Sequence, residues 1–163
     1  MTRLETERLV LVPLGREHEA AYAEIFEDTA ELDRAIEHRA EHGFGHWAIL
    51  DRSSGQLLGT LEVHYAGDGI GGIGPDEVEI GWTVTPARRR EGIATEAARA
   101  AIARAFATLD APHLVAYIRP ENEASLRVAA RLGMRPDGEG TTRSGDSMLI
   151  FRLPRPTTID GRP

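Results

Sequence analysis

Apolar residues alternate with smaller or polar ones in several short stretches of this chain, and between those stretches they recur at helical spacing. Leu9, Leu11 and Leu14 predict a first strand, which Pro13 closes. After a turn at Gly15, Ala20, Ala21, Tyr22, Ile25 and Phe26 predict a helix over 17–26, and a second helical stretch follows from about Thr29 to Glu41. His46–Leu50 and Leu57–Tyr65 are β-rich runs joined by a polar turn, and read as a hairpin. The connection from Ala66 to Asp76 is crowded with glycine and reads as a mobile loop that could gate one side of the molecule. Within it Gly69–Gly74 matches G-x-G-x-x-G, but a dinucleotide site needs a helix after that motif and here a strand follows, so this reading is rejected.

The stretch 77–107 organises the rest. Glu77–Val84 alternates as a strand, Thr85-Pro86 breaks it, and an arginine-rich turn (Arg88-Arg89-Arg90-Glu91) leads through Gly92 into an Ala-rich helix ending near Asp110. His113–Ile118 is again a strand, so strand, helix and strand imply a right-handed crossover with 78–84 parallel to 113–118. Asn122 is placed to cap a further helix that stops at Gly133, and strands near 134–138 and 147–153 complete the pattern. The pattern therefore predicts an α/β (α+β) chain with one hairpin and one parallel strand–helix–strand unit. Residues 1–153 form one domain, and 154–163, with three prolines and little to bury, read as a flexible tail.

The start of the long helix has the physics of an anion site. Its first N–H groups lack helical acceptors, the helix dipole is positive there, Gly92 permits close approach, and three arginines supply planar donors. Taken alone, an ordinary strand–helix junction with a solvated basic turn explains the same residues. Arg89-Arg90-Glu91-Gly92-Ile93-Ala94, however, fits the Arg/Gln-x-x-Gly-x-Gly/Ala signature of the GNAT superfamily of acyl-CoA-dependent N-acyltransferases, and Thr95-Glu96-Ala97 continues it. Asn122-Glu123-Ala124-Ser125, followed by Gly133-Met134, resembles that family's Asn-x-x-Ser segment, and Thr6–Leu14 resembles the opening strand of its ribosomal-protein alanine N-acetyltransferase branch. Two positions depart from the pattern: Arg90 stands where glycine is usual and Arg88 where an aromatic is common.

The resemblance implies a mixed, mostly antiparallel central sheet with helices on both faces, and transfer of the acetyl group of acetyl-CoA to a primary amine by direct attack in a ternary complex. It implies cofactor contacts from Trp82, Val84, Arg89, Arg90, Gly92, Ile93, Ala94, Thr95 and Asn122, with the backbone N–H of Val84 facing the thioester carbonyl should the strands splay beyond Trp82–Val84. Alternation sets Glu79 as the sole carboxylate in the middle of the central strand, where burial would raise its pKa toward that of a useful base; a rim Glu paired with Arg is the bland alternative. The family's usual acid, a tyrosine early in the fourth helix, is missing. Ser125 stands at the Asn-x-x-Ser position instead and Tyr117 is held in reserve, although Ser125 and Asn122 would equally serve as a helix start. The missing tyrosine keeps a non-catalytic acyl-CoA-binding or sensor module open as the alternative function.

Composition narrows the partners. A formal charge of −7 disfavours extended nucleic-acid binding, and no apolar run is long enough to span a bilayer. With no cysteine and no secretory leader in view, the expectation is cytoplasmic. All 19 basic residues are arginine, so neither a lysine Schiff base nor a Gly-Lys-Ser/Thr phosphate loop is available. Six histidines are scattered along the chain; His38 and His42 share a helical face, but no third ligand at a recognised spacing accompanies them, so no metal is expected. His64 is placed to reach the acceptor side. The expected partner is an amine-bearing small molecule or a protein N-terminus, and pairing of two copies through edge strands or the C-terminal hairpin fits the homodimer expectation.

Overall fold

The computed structural model describes residues 2–26 and 29–157. In chain order the elements are β1 (Leu4–Glu5), β2 (Leu9–Pro13), α1 (Glu19–Phe26), α2 (Ala30–His42), β3 (Trp47–Asp51), β4 (Leu57–Tyr65), β5 (Val78–Val84), α3 (Ile93–Thr108), β6 (His113–Ile118), α4 (Glu123–Arg131), β7 (Arg135–Thr141) and β8 (Ser147–Pro154). The strands make one sheet ordered β1-β2-β3-β4-β5-β6-β8-β7, in which β5 and β6 are the parallel neighbours. This is the mixed, mostly antiparallel α/β architecture that the hydrophobic pattern and the family resemblance together predict. The two-residue strand β1 is an addition, paired Leu4 to Leu11, and is too short to leave a period in the sequence.

Period-2 alternation divides the sheet into two apolar faces. Leu9, Leu11, Ile49, Leu61, Val63, Val78 and Ile80 meet Ile93, Ala97, Ala98, Ala101 and Ala105 of α3 in the main core. Ala97, Ala98, Ala101 and Ala105 are at most 2% exposed, and their short side chains let the helix lie close against β4 and β5. On the opposite face Tyr22 of α1 and Leu32 and Ala35 of α2 pack with Leu14, Ala48 and Leu57. The helix pair therefore covers the face that also carries Glu79.

Two sequence expectations change. The glycine-rich segment 66–76 is anchored: Ile70 and Ile73 are buried with Val115, Met148 and Ile150, and Ile70 bridges to Thr142. Glycine content had suggested mobility, but two isoleucines and the bidentate Arg152–Glu77 pair hold the loop to β8. At the other end, the folded body continues past Leu153. Arg155 donates to the carbonyls of Phe106, Leu109 and Ala111 and lies 5.2 Å over the Phe106 ring, closing the C-terminus of α3. Residues 158–163 of the expected tail lie outside the described residues. Among the described residues no helix is long and apolar enough to cross a membrane.

Candidate active site

β5 and β6 pair only at Val78–Leu114 and Glu79–Val115, so the sheet forks immediately after Glu79. Pairing with β6 thus stops five residues before Val84, whereas the sequence reading set the splay beyond Trp82–Val84. Backbone direction at the fork follows from the β4–β5 ladder. Ala66 N–H bonds to Glu77 and Thr85 N–H to Leu58 across that ladder, so odd-numbered residues of β5 pair with β4. Even-numbered residues then turn their N–H and C=O groups the other way. Trp82 and Val84 therefore direct their backbone into the fork, and the Val84 carbonyl is met there by Arg89 Nε at 3.2 Å. The Trp82 side chain packs instead on the main core.

An open cleft of about 240 Å³ occupies the fork and is bounded by Glu62, Glu79, Trp82, Tyr117, Asn122 and Ser125. Glu79 is 5% exposed, and no arginine pairs with it among the described residues. Its neighbours are Tyr117, which hydrogen-bonds it from β6, His64 Nε2 at 3.6 Å, and Glu62. Burial, reinforced by the negative field of Glu62, pushes its carboxyl up to about 8. The rim-Glu alternative does not describe this residue. Tyr117 is raised from its ordinary value by burial and by Glu79.

Ser125 lies in the first turn of α4, where its N–H donates to the Asn122 side chain at 3.1 Å. Asn122 thus caps α4 and borders the cleft as well. At the other helix, Gly92 is the N-cap of α3 with φ 81°, and the first helical bond runs from Glu96 N–H to Gly92 O at 3.0 Å. The N–H groups of Ile93, Ala94 and Thr95 precede that bond and have no helical acceptor. The side chains of Ile93 and Thr95 are buried, so only their backbones face outward chemistry. Arg8 Nε and Nη2 hold Glu96 Oε2 at 2.7 and 2.6 Å, which pins this helix start to the beginning of β2.

The arginine turn divides its labour. Arg88 is committed to Glu91 and Asp51, Arg89 to Val84 O, and Arg90 is exposed. Arg90 has φ 68°, the one non-glycine residue with positive φ among those described, and so takes the backbone shape of the glycine that it replaces in the pattern.

Beyond the fork, on the α1–α2 side, lies a cavity of about 760 Å³ bordered by Tyr22, Glu31, His46, Glu62, His64 and Tyr117. His64, which the sequence placed near this side of β4, lines the cavity. His46, Glu62 and Glu31 were not singled out from the sequence. The available signal was the polar stripe Thr60, Glu62, His64 at period 2 within an otherwise apolar strand. One donor atom each of His46, Glu62 and His64 lies within 4.8 Å of the others, close enough to share a cation. His38 is not part of this group, since its Nδ1 bonds to Phe44 O and its Nε2 accepts from Tyr65 N–H.

The site thus comprises a forked sheet with a carboxyl buried at the fork and, where α3 begins after β5, N–H groups without helical acceptors. The sequence model of the Acetyltransferase (GNAT) domain matches residues 8–135, and the chain belongs to this family of acetyltransferases. The uncharacterized N-acetyltransferase YnaD of Bacillus subtilis is 37% identical over 66 residues, 40% of this chain and 39% of that protein, so the matched stretch spans well under two thirds of this relative. A putative GnaT-family acetyltransferase from Bordetella pertussis shares the fold with a TM-score of 0.81 at 24% identity, covering 93% of this chain and 99% of that one. RimL, a ribosomal L7/L12 alpha-N-protein acetyltransferase solved in complex with coenzyme A, shares the fold with a TM-score of 0.75 at 14% identity, over 94% and 98% of the two chains.

Proposed function

We propose that this acetyltransferase moves the acetyl group of acetyl-CoA onto a primary amine by direct attack at the fork between β5 and β6. The observation that carries the reading is the position of Glu79: a buried carboxyl at the point where parallel pairing stops. The thioester substrate supplies an activated carbonyl carbon and a thiolate leaving group. The N–H groups of Ile93, Ala94 and Thr95, with Gly92 allowing close approach and Arg89 and Arg90 nearby, hold the diphosphate. Trp82 and Val84 run alongside the acyl arm, and the Val84 N–H donates to the carbonyl oxygen as charge grows on it. Glu79 in its ionised form takes the proton from the attacking nitrogen, directly or through water. As the C–S bond breaks, a hydroxyl of the cleft, Ser125 or Tyr117, returns a proton to sulfur, and Asn122 keeps the start of α4 in place for it.

Tyr117, hydrogen-bonded to Glu79 in the cleft, supports the catalytic reading over a non-catalytic acyl-CoA-binding module. The test is a panel of amines with acetyl-CoA, read by mass spectrometry of product and by release of free thiol. Glu79→Gln is expected to keep coenzyme A affinity and lose most turnover. Unchanged turnover in that variant removes Glu79 as the base, and failure of the wild-type protein to bind coenzyme A removes the whole reading. Ser125→Ala and Tyr117→Phe separate the two candidate acids by which of them lowers kcat.

A further inference from the structure

In the cavity on the α1–α2 side, where Arg34 is paired with Glu31, three other groups accept hydrogen bonds and have little to accept from. His64 Nδ1 donates to Tyr65 O at 2.8 Å, so its Nε2 presents a lone pair. His46 is 4% exposed; its Nε2 faces Glu31 Oε1 at 3.7 Å and helps hold that carboxyl down at about 2, while its Nδ1 has no hydrogen-bond partner. Glu62 stands opposite Gly81, whose lack of a side chain makes its space: a Cβ there would sit 2.5 Å from Glu62 Oε2. Its hydrogen bond is a long one, 3.5 Å from the Thr60 hydroxyl, and it forms no ion pair with an arginine among the described residues. A buried nitrogen left without a partner is costly, and burial, which raises the Glu62 pKa, disfavours its ionised form until a cation stands beside it.

Three acceptors converging within 4.8 Å call for a ligand that brings several donors and positive charge, and an alkylammonium brings three N–H groups. Glu62 and Glu79 lie diagonally on one face of the β4–β5 ladder, Glu62 opposite Gly81 and Glu79 opposite His64. Diagonal neighbours of this kind are about 7–8 Å apart, so one short molecule reaches both. We propose that the acceptor is dibasic: one amine is presented to Glu79 at the fork, and a second is retained as an ammonium by Glu62, with His46 and His64 accepting its remaining hydrogens. This deepens, and rests on, the reading of Glu79 as the base. The same chemistry is carried by a small α,ω-diamine and by a peptide N-terminus with a basic side chain beside it.

The test compares kcat and KM for n-alkyl monoamines and α,ω-diamines of equal length, and for short peptides that begin with or without an arginine or lysine. Preference of the wild-type enzyme for dibasic acceptors by tenfold or more in kcat/KM, collapsing in Glu62→Gln mainly through KM, supports the proposal; diamine or peptide arms identify the source. A second readout is independent of turnover: dibasic compounds should raise the melting temperature of the coenzyme A complex in the wild type and not in Glu62→Gln. Gly81→Ala, which pushes on the Glu62 carboxylate, guards against a folding defect peculiar to one variant and should show the same loss. Equal handling of mono- and dibasic amines, or a preference that survives in both variants, overturns the proposal and leaves N-acetylation standing. A Glu62-dependent thermal shift by Zn²⁺ without one by any diamine also overturns it, by making the cluster a metal site. Retained turnover in Glu79→Gln strikes only at the base, since the melting readout still decides the second amine.

Discussion

Glu79 Oε2 lies 3.6 Å from His64 Nε2 across the β4–β5 ladder, and among the described residues no arginine pairs with either. Burial pushes His64 down to about 4 and Glu79 up to about 8, so at neutral pH both are mostly uncharged. The groups facing Glu79 are Glu62 and His64 from β4 and Tyr117 from β6, with the field of Glu31 from α2. A base must be ionised to act. At saturating acetyl-CoA, kcat/KM expressed per concentration of neutral amine should therefore rise with pH and level off above about 8, and Glu79→Gln should lower turnover by roughly 10²-fold or more across the range. A pH–rate profile of both proteins checks this.

The same carboxyl costs the fold stability. A carboxyl whose folded pKa is raised contributes most below its ordinary value of 4.5 and loses that contribution as pH climbs toward about 8. The slope is about 1.4 kcal/mol per pH unit in that window at most. Glu79→Gln, which cannot ionise, should lack this decline and be the more stable protein at pH 8 by up to a few kcal/mol. Urea midpoints at pH 5 and pH 8 measure it, and a wild-type midpoint that falls no faster than that of the variant contradicts the buried-carboxyl account.

The path of the strands and the helix at 78–118 was legible because alternation, Thr85-Pro86, Gly92 and an alanine-rich period each specify local structure. Glu79 was legible too, as a lone carboxylate in an apolar strand. The position of the fork was not, since it depends on which backbone groups β6 leaves unpaired, and backbone pairing has no side-chain signature. Glu62 and His46 were missed for a related reason. Their chemistry arises when β3, β4 and α2 assemble, at a separation of many residues that no local spacing encodes. Glycine content misled at 66–76, where Ile70 and Ile73 decide the outcome by burial, and proline content misled at Arg155, whose three carbonyl partners belong to a helix end some 46 positions away.

Arg90 at φ 68° and Gly92 at φ 81° make opposite predictions in one turn. The left-handed region costs an ordinary residue about 1–2 kcal/mol, and glycine returns part of that through its larger unfolded-state entropy, about 0.4–1 kcal/mol. Arg90→Gly should be neutral to about 1 kcal/mol stabilising. Gly92→Ala should cost about 1 kcal/mol, and Gly92→Glu should in addition abolish coenzyme A binding in a folded protein by placing negative charge at the α3 N-terminus. Chemical denaturation gives the first two and calorimetric titration the third.

Arg155 satisfies three carbonyls at the end of α3 with one guanidinium and lays it against Phe106. Charge-assisted bonds of this kind contribute about 1.5–3 kcal/mol, and the cation also meets the negative end of the helix. Arg155→Ala should lower stability by about 2–3 kcal/mol while leaving coenzyme A affinity intact below the melting transition. Arg155→Lys should recover only part of the loss, because one ammonium cannot reach three carbonyls in the planar arrangement of a guanidinium.

Glu77 governs the acid side. Arg152 grips it through two bonds of 2.9 and 3.0 Å, Gly74 N–H donates at 2.7 Å and His113 Nε2 lies at 2.5 Å, and chiefly the Arg152 bonds hold its carboxyl down at about 2. A carboxylate with a lowered folded pKa contributes stability that is complete above its ordinary 4.5 and disappears as pH falls toward about 2. The contribution is at most about 3 kcal/mol from a shift of this size, and less after allowance for partial exposure. Because Arg152 also holds Gly72 O, protonation of Glu77 should release the 66–76 segment before the sheet melts. Amide exchange at Gly71 and Ile73 should therefore accelerate between pH 4.5 and pH 2.5 ahead of exchange in β4. Glu77→Gln should show that acceleration already at neutral pH, and identical protection of the two proteins across the range would separate the loop from this carboxylate.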